Sequence, residues 1–174
     1  MKIPPLLRGG FYFLFLVITF FLLFTGLVSL DQYFDVQLPG SLLFVGIPLG
    51  IGGSFLALWC AILFILRGHG TPAPFDPPKK FVILGPYRYV RNPMMIGGFS
   101  TLLGVGLLLR SPSGLLFILL LALLFQLFIV YIEEPGLSER FGKEYEDYKK
   151  TVPRWIPVIK KQISNPKHQF PNKF

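Results

Sequence analysis

Four stretches of this 174-residue chain contain no Lys, Arg, Asp or Glu: Gly9 to Leu30, Val36 to Leu66, Asn92 to Leu109 and Ser111 to Ile132. A helix needs about 20 such residues to cross about 30 Å of hydrocarbon. Lipid offers no partner to backbone N–H and C=O groups, so a spanning segment must pair them internally, and four short runs cannot close a barrel. A composition of 52% hydrophobic against 15% charged residues excludes a disordered chain. The expected fold class is all-α, a polytopic membrane protein. Its four transmembrane helices are expected at about 9–30, 40–66, 93–109 and 113–132, with a cytoplasmic Pro-rich loop at 67–92 and an amphipathic C-terminal helix at about 135–150. Residues 1–164 then form one membrane-embedded domain, and 165–174, which lack periodicity, a frayed tail.

The first run follows Lys2 and Arg8, yet it is too long for a signal peptide and no small-x-small cleavage site follows, so a retained helix is expected. In the second, Pro39 and Gly40 suit the start of a helix and Pro48 a bend. Gly46 and Gly50 are spaced for close helix packing, with Gly53 and Ser54 adding small surface. Gly50, Gly52 and Gly53 are close-approach points for a lateral groove expected between the first two runs. The third and fourth are joined only by Arg110-Ser-Pro-Ser-Gly114, which demands an antiparallel hairpin.

The formal charge of +8 is distributed by topology. Lys2 and Arg8 precede the first run, Arg67, Lys79, Lys80, Arg88 and Arg91 lie between the second and third, and nine more cations follow the fourth. Arg110 alone falls on the other side, with Asp31 and Asp35. The positive-inside rule therefore puts both termini, the central loop and the tail in the cytoplasm. The bilayer, whose anionic headgroups attract each nearby cation by about 1 kcal/mol, is the expected partner in place of nucleic acid. Cys60 is the only cysteine, expected to pack within the second run, and His69 and His168 are the only histidines. No disulfide framework or metal centre is expected from so few ligands.

Two polar segments flank the hairpin's cytoplasmic mouth. Arg67 to Pro93 carries six prolines, but Phe75, Phe81, Val82, Ile83, Tyr87, Tyr89 and Val90 are interleaved with its cations, which suits a loop packed on the membrane face. Beyond the fourth run, Pro135 suits the first turn of a new helix, and Leu137, Phe141, Tyr145 and Tyr148 form one stripe opposite Glu139, Lys143, Glu146 and Lys150. Glu133 and Glu134 continue a transmembrane helix, where a carboxylate is costly unless a cation, water or ligand satisfies it. Arg88 and Arg91 face the same mouth. The cluster is either an ion-pair network or a cup for a zwitterionic ligand.

These residues resemble the membrane-embedded S-adenosylmethionine-dependent methyltransferases, which include isoprenylcysteine carboxyl methyltransferases and phospholipid N-methyltransferases. The resemblance covers Gly70 to Pro157. It rests on Gly70-Thr-Pro-x-Pro74, Pro77-Pro-x-x-Phe-Val82, Gly85-Pro-Tyr-Arg-Tyr-Val-Arg-Asn-Pro93, Glu133-Glu-Pro-x-Leu137, Phe141-Gly-x-x-Tyr-x-x-Tyr148 and Val152-Pro-Arg-Trp-Ile-Pro157. It implies S-adenosylmethionine at the cytoplasmic mouth. By position, Lys79, Lys80, Phe81 and Val82 would line the cofactor channel, Tyr87, Arg88 and Arg91 would contact the cofactor, and Asn92, Pro93, Met94 and Met95 would occupy the family's Arg-His-Pro-x-Tyr site. Glu133 would hold the amino or ribose end with Glu134 as the second acidic residue, and Tyr145, Tyr148 and Arg154 would close the pocket. Asn92 stands where the family often has His, and Met95 where it has Tyr. Ile129 stands where eukaryotic isoprenylcysteine members carry a substrate-binding Arg, which argues against prenylcysteine carboxylate as acceptor.

The expected activity is methyl transfer to a lipid-soluble or membrane-associated acceptor, carboxylate, amine or thiol. Such an in-line displacement needs alignment and a dry pocket more than acid–base machinery. Where the acceptor must lose a proton, Glu134 and Tyr87 are the candidate catalytic groups. The competing readings are a sterol-type NADPH-dependent reductase, disfavoured by the short chain and the Glu-Glu-Pro element, and a non-enzymatic helical-bundle accessory protein. Acceptor and oligomeric state stay open at this level.

Overall fold

The computed structural model describes residues 5–68 and 81–157, and every regular element among them is helical. Four long helices coincide with the charge-free runs: α1 (Pro5–Tyr33), α2 (Leu43–Leu63), α3 (Pro93–Leu108) and α4 (Pro112–Phe128). Two short ones follow, α5 (Glu134–Phe141) and α6 (Lys143–Thr151). The helical stretches Gly40–Arg67 and Pro112–Phe141 are long and apolar enough to cross a bilayer, while Ile18–Tyr33 and Pro93–Leu108 are shorter apolar helices. Phe21, Leu22, Phe44, Phe55, Leu119 and Leu124 are each more than half exposed. An outward apolar mantle on so many turns is stable in lipid and not in water, so the chain is an integral membrane protein. The frayed tail expected at 165–174 lies outside the described residues.

α2 and α3 pack backbone to backbone. A Cβ on Gly97 would sit 2.6 Å from the Ala57 nitrogen, and one on Gly104 would sit 2.5 Å from the Gly50 nitrogen. Lipid tails compete poorly with such a fit because close approach maximises dispersion contacts between the helices. Ser54 and Thr101 meet across the seam at 3.2 Å. The groove expected between the first two runs is not the arrangement observed. α2 packs chiefly on α3, and Gly52 has open space beside it. α1 packs on α4, placing Phe24 and Val28 against Ile118 with Phe99, Leu102 and Leu103 of α3 alongside.

At one end a polar clasp ties the connections together. α1 was expected to stop before Asp31, but it continues to Tyr33 because that carboxylate is satisfied in place. Asp31 accepts from the Ser111 hydroxyl (2.5 Å), the Ser113 hydroxyl (2.6 Å) and the Ser113 N–H (2.9 Å) at the positive N-terminal end of α4. Ser111 also caps α4 by accepting from the Gly114 N–H at 2.9 Å. α3 ends in a Schellman arrangement, with Arg110 N–H donating to Leu107 and Ser111 N–H to Gly106. Arg110 takes the left-handed conformation (φ +54°) that usually needs glycine, and its Nε donates to the Leu38 carbonyl at 2.6 Å while the Leu38 N–H donates back to the Arg110 carbonyl at 2.9 Å.

The other end departs from expectation twice. No break precedes Pro135, since α4 passes through a π turn, Ile129–Glu133, directly into α5. The wider turn accommodates a residue that lacks an N–H and whose ring crowds the preceding turn. The single helix expected at 135–150 is instead α5 and α6, separated at Gly142 (φ +54°, ψ −129°), a conformation essentially restricted to glycine. Leu137, Phe141, Tyr145 and Tyr148 still converge, but on Phe81 and Ile83 of the loop before α3.

Because the α2–α3 seam has no room for a side chain, Gly97→Ala is expected to destabilise the detergent-solubilised protein by about 1–3 kcal/mol. Gly52→Ala, facing open space, is expected to leave the melting midpoint unchanged or slightly raised. Thermal unfolding of the two variants side by side checks both.

Candidate cofactor cup

Gly85 begins the construction. Its φ of +56° turns the chain into a short 3-10 segment, Gly85–Arg88, against Trp59 and Leu63 of α2. Pro86 and Tyr87 are buried there, with Val82 and Val90 on either side, and the Tyr87 phenol lies by Cys60. The turn sends Arg88 outward, where it forms no ion pair with a described residue, and leaves Arg91 and Asn92 at the start of α3. Asn92 occupies the N-cap position of α3 but its side chain makes no capping bond, and Pro93 behind it is fully buried. Met94 and Met95, half-buried, form the first turn.

Opposite stands the π turn of α4. Glu134 is 9% exposed, and three elements meet on it. Arg154 of the C-terminal segment donates through Nε to Oε1 at 2.8 Å and through Nη2 to Oε2 at 2.9 Å, a bidentate pair. Arg91 Nη1 approaches Oε1 to 3.0 Å as an ion pair. The Arg91 N–H donates to the Pro153 carbonyl at 2.9 Å, and the Tyr148 hydroxyl to the Tyr87 carbonyl at 2.7 Å. Phe81 packs its ring on Phe141, Tyr145 and Tyr148 with centroids 5.0 to 5.6 Å apart. The C-terminal segment thus lies across the mouth of the hairpin.

Within this frame several polar groups stay unpaired among the described residues. Arg91 Nε and Asn92 Nδ2 are buried donors without a hydrogen-bond acceptor. Glu133, half-buried beside Glu134, makes no hydrogen bond or ion pair there. Such groups cost about 1–3 kcal/mol each when desolvated and unmatched. The site residues expected from sequence therefore divide. Phe81, Val82, Tyr87, Arg91, Asn92, Glu134, Tyr145, Tyr148 and Arg154 form one contiguous construction, Arg88 points away from it, and Lys79 and Lys80 lie outside the described residues. Among the contacts that sequence reasoning missed is the Trp155 Nε1–H donating to Gln126 Oε1 at 2.9 Å. The residue, though not its partner, was legible: Gln126 is the one amide in an otherwise apolar run from Leu115 to Val130.

The phenols are held neutral. Burial, followed by the negative charge of Glu134, pushes Tyr145 up to about 12. Burial likewise raises Tyr148, with Tyr145 adding to it, and raises Tyr87, with Cys60 adding to it. The hydrogen bond to Glu134 raises Arg154 further above an already basic range. Tyr87 and Glu134, the groups expected to accept a proton, differ in setting. One is a buried phenol, and the other has both oxygens committed to arginine.

This combination of a tight helical hairpin, a charged cup at its end and a tail closing over it defines a class of intramembrane proteins. The chain belongs to the phospholipid methyltransferase family, whose family model matches residues 41–144. It is 45% identical over 76 residues, 43% of this chain and 32% of the relative, to the protein-S-isoprenylcysteine O-methyltransferase of Schizosaccharomyces pombe. It is 30% identical over 130 residues, 74% of this chain and 56% of the relative, to the nickel-cobalt-cadmium resistance protein NccN of Alcaligenes xylosoxydans xylosoxydans. Its fold is similar to that of the eukaryotic intramembrane Ras methyltransferase ICMT, with a TM-score of 0.61 and 22% identity over 82% of this chain and 52% of that one. The chain spans from about a third to just over half the length of these relatives.

A phenol whose ionisation is suppressed on folding stabilises the fold below its ordinary pKa of 10.0, and that contribution is lost as pH rises through about 12. Alkaline unfolding is therefore expected in that window, with tyrosinate absorbance rising together with loss of helicity. Tyr145→Phe should move the transition to higher pH, and spectrophotometric titration of both proteins checks it.

Proposed function

We propose that the protein is a membrane-embedded methyltransferase that moves a methyl group from S-adenosylmethionine to an acceptor carried in the bilayer. The observation that carries the reading is the set of unmatched groups in the cup, the buried donors Arg91 Nε and Asn92 Nδ2 and the carboxylate of Glu133. A zwitterion with an anionic and a cationic end complements that set. Arg91 and Asn92 would hold its carboxylate, and Glu133 its ammonium or ribose hydroxyls. Membership of the phospholipid methyltransferase family and the O-methyltransferase name of the Schizosaccharomyces pombe relative support the reading.

Bound there, S-adenosylmethionine supplies an electrophilic methyl group on a positively charged sulfur. The chain's own residues supply alignment and exclusion of water. Glu134 positions Arg91 and Arg154, joining the loop to the tail. Tyr87, a neutral phenol, serves as wall and hydrogen-bonding group. Tyr145, Tyr148 and Phe81 form a dry aromatic layer behind the cup. Among the described residues Glu134 is committed to two arginines, Tyr87 is a buried phenol and Glu133 is assigned to the cofactor, so we take the acceptor to be one already nucleophilic at neutral pH, a carboxylate on a lipid-soluble molecule. Ile129 is fully buried and offers no charge at its turn, so we do not assign prenylcysteine as that molecule. The Lys and Arg bias orients four crossings with the termini and the cup in the cytoplasm.

Calorimetry on detergent-purified protein should show micromolar binding of S-adenosylhomocysteine, abolished by Glu133→Ala and weakened at least tenfold by Arg91→Ala, about 1.4 kcal/mol or more. Absence of binding by the wild type would overturn the assignment. Incubation of lipid extracts with isotopically labelled methyl donor should yield a base-labile methyl ester, whereas a base-stable product would overturn the carboxylate class.

A further inference from the structure

Three consecutive residues of the C-terminal segment are each fastened, one to the loop before α3 and two to different levels of the helical stretch Pro112–Phe141. The Pro153 carbonyl accepts from the Arg91 N–H, Arg154 clasps Glu134, and Trp155 donates to Gln126. The first two bonds lie at the polar mouth. The third does not: Gln126 precedes Glu133 by seven residues on one helical stretch, about 10 Å farther into the bilayer at 1.5 Å per residue. An amide at that depth is costly unless paired. Salt screens the ion pair at the mouth, whereas the indole–amide bond joins two neutral groups and does not depend on ionic strength. Ile156, 78% exposed beside Trp155, presents a further apolar side chain outward.

We propose that Gln126 is a positioning residue that, by accepting the Trp155 N–H, pins the segment from Val152 to Pro157 as a lid over the cup and sets how long the adenosyl ligand stays bound. The inference rests on the cofactor reading for what lies beneath the lid. The anchor itself does not depend on that reading. Gln126 is not among the groups assigned to the cofactor, so it acts through Trp155, and Arg154 is carried with it as the adjacent residue of the chain.

The protein contains two tryptophans, so a Trp59→Phe background leaves Trp155 as the only emitter. In nanodiscs, Gln126→Leu should shift Trp155 emission and change its quenching by brominated phospholipid, while Gln126→Glu, which keeps an acceptor oxygen, restores both. In the same background Gln126→Leu should raise the dissociation rate of S-adenosylhomocysteine about tenfold, with association rate and melting midpoint unchanged. Trp155→Phe should do the same, and the double variant no more. An unchanged dissociation rate overturns the lid, as does a fall in melting midpoint that accounts for the faster release. Emission and quenching that ignore Gln126→Leu overturn the anchor. Should the wild type bind no S-adenosylhomocysteine, the cofactor reading falls with the lid's effect on ligand, and the quenching comparison still decides the anchor.

Discussion

The carboxylate of Glu134 is the point on which the polar half of the molecule depends. It sits at the end of a continuous helix that emerges from lipid, and it draws one arginine from the loop before α3 and another from the tail. Isolated, such a charge would be expelled from its buried position. With two guanidinium partners it fixes three chain segments that share no regular hydrogen-bonded structure. A buried ion pair is a weak source of net stability, but removing one member leaves the others uncompensated, so it discriminates strongly against alternative placements of loop and tail.

The apolar half depends on shape. Between α2 and α3 the contact is backbone on backbone, and four glycines, Gly50, Gly53, Gly97 and Gly104, make it so. α1 leans on the opposite side of the hairpin through larger side chains, Phe24 and Val28. The difference matters for the cup. The glycine seam holds α2 directly beneath the Gly85 turn, so the loop that carries Arg91 is set by a rigid pair of helices, while the carboxylates come from the π turn that follows α4 and from the start of α5.

Much of the helical layout was legible because lipid imposes a nearly one-dimensional rule: a charge-free run of sufficient length becomes a helix. The rule fails where a charge is satisfied from elsewhere, as at Asp31, whose partners Ser111 and Ser113 are eighty residues away or more. Proximity of Arg91 to Glu134 followed from the short hairpin connection. Its sorting from Arg88 did not, because a 3-10 turn in an irregular loop has no periodicity to read. The aromatic stripe was visible at helical spacing, yet the break at Gly142 was not, since one glycine within an amphipathic pattern is compatible with either outcome. Partners such as Arg154 for Glu134 and Trp155 for Gln126 come from tertiary convergence, which spacing along the chain does not encode.

The clasp on the opposite face has a mechanical consequence. Asp31 binds α1 to the start of α4, and Leu38 with Arg110 binds the α1–α2 connection to the hairpin tip, so all four long helices are fastened together at that end. Rods joined at one end open at the other, as tongs do. Relative displacement of the rods is thereby most restrained at the clasped end, and the end that carries the cup lies farthest from that restraint.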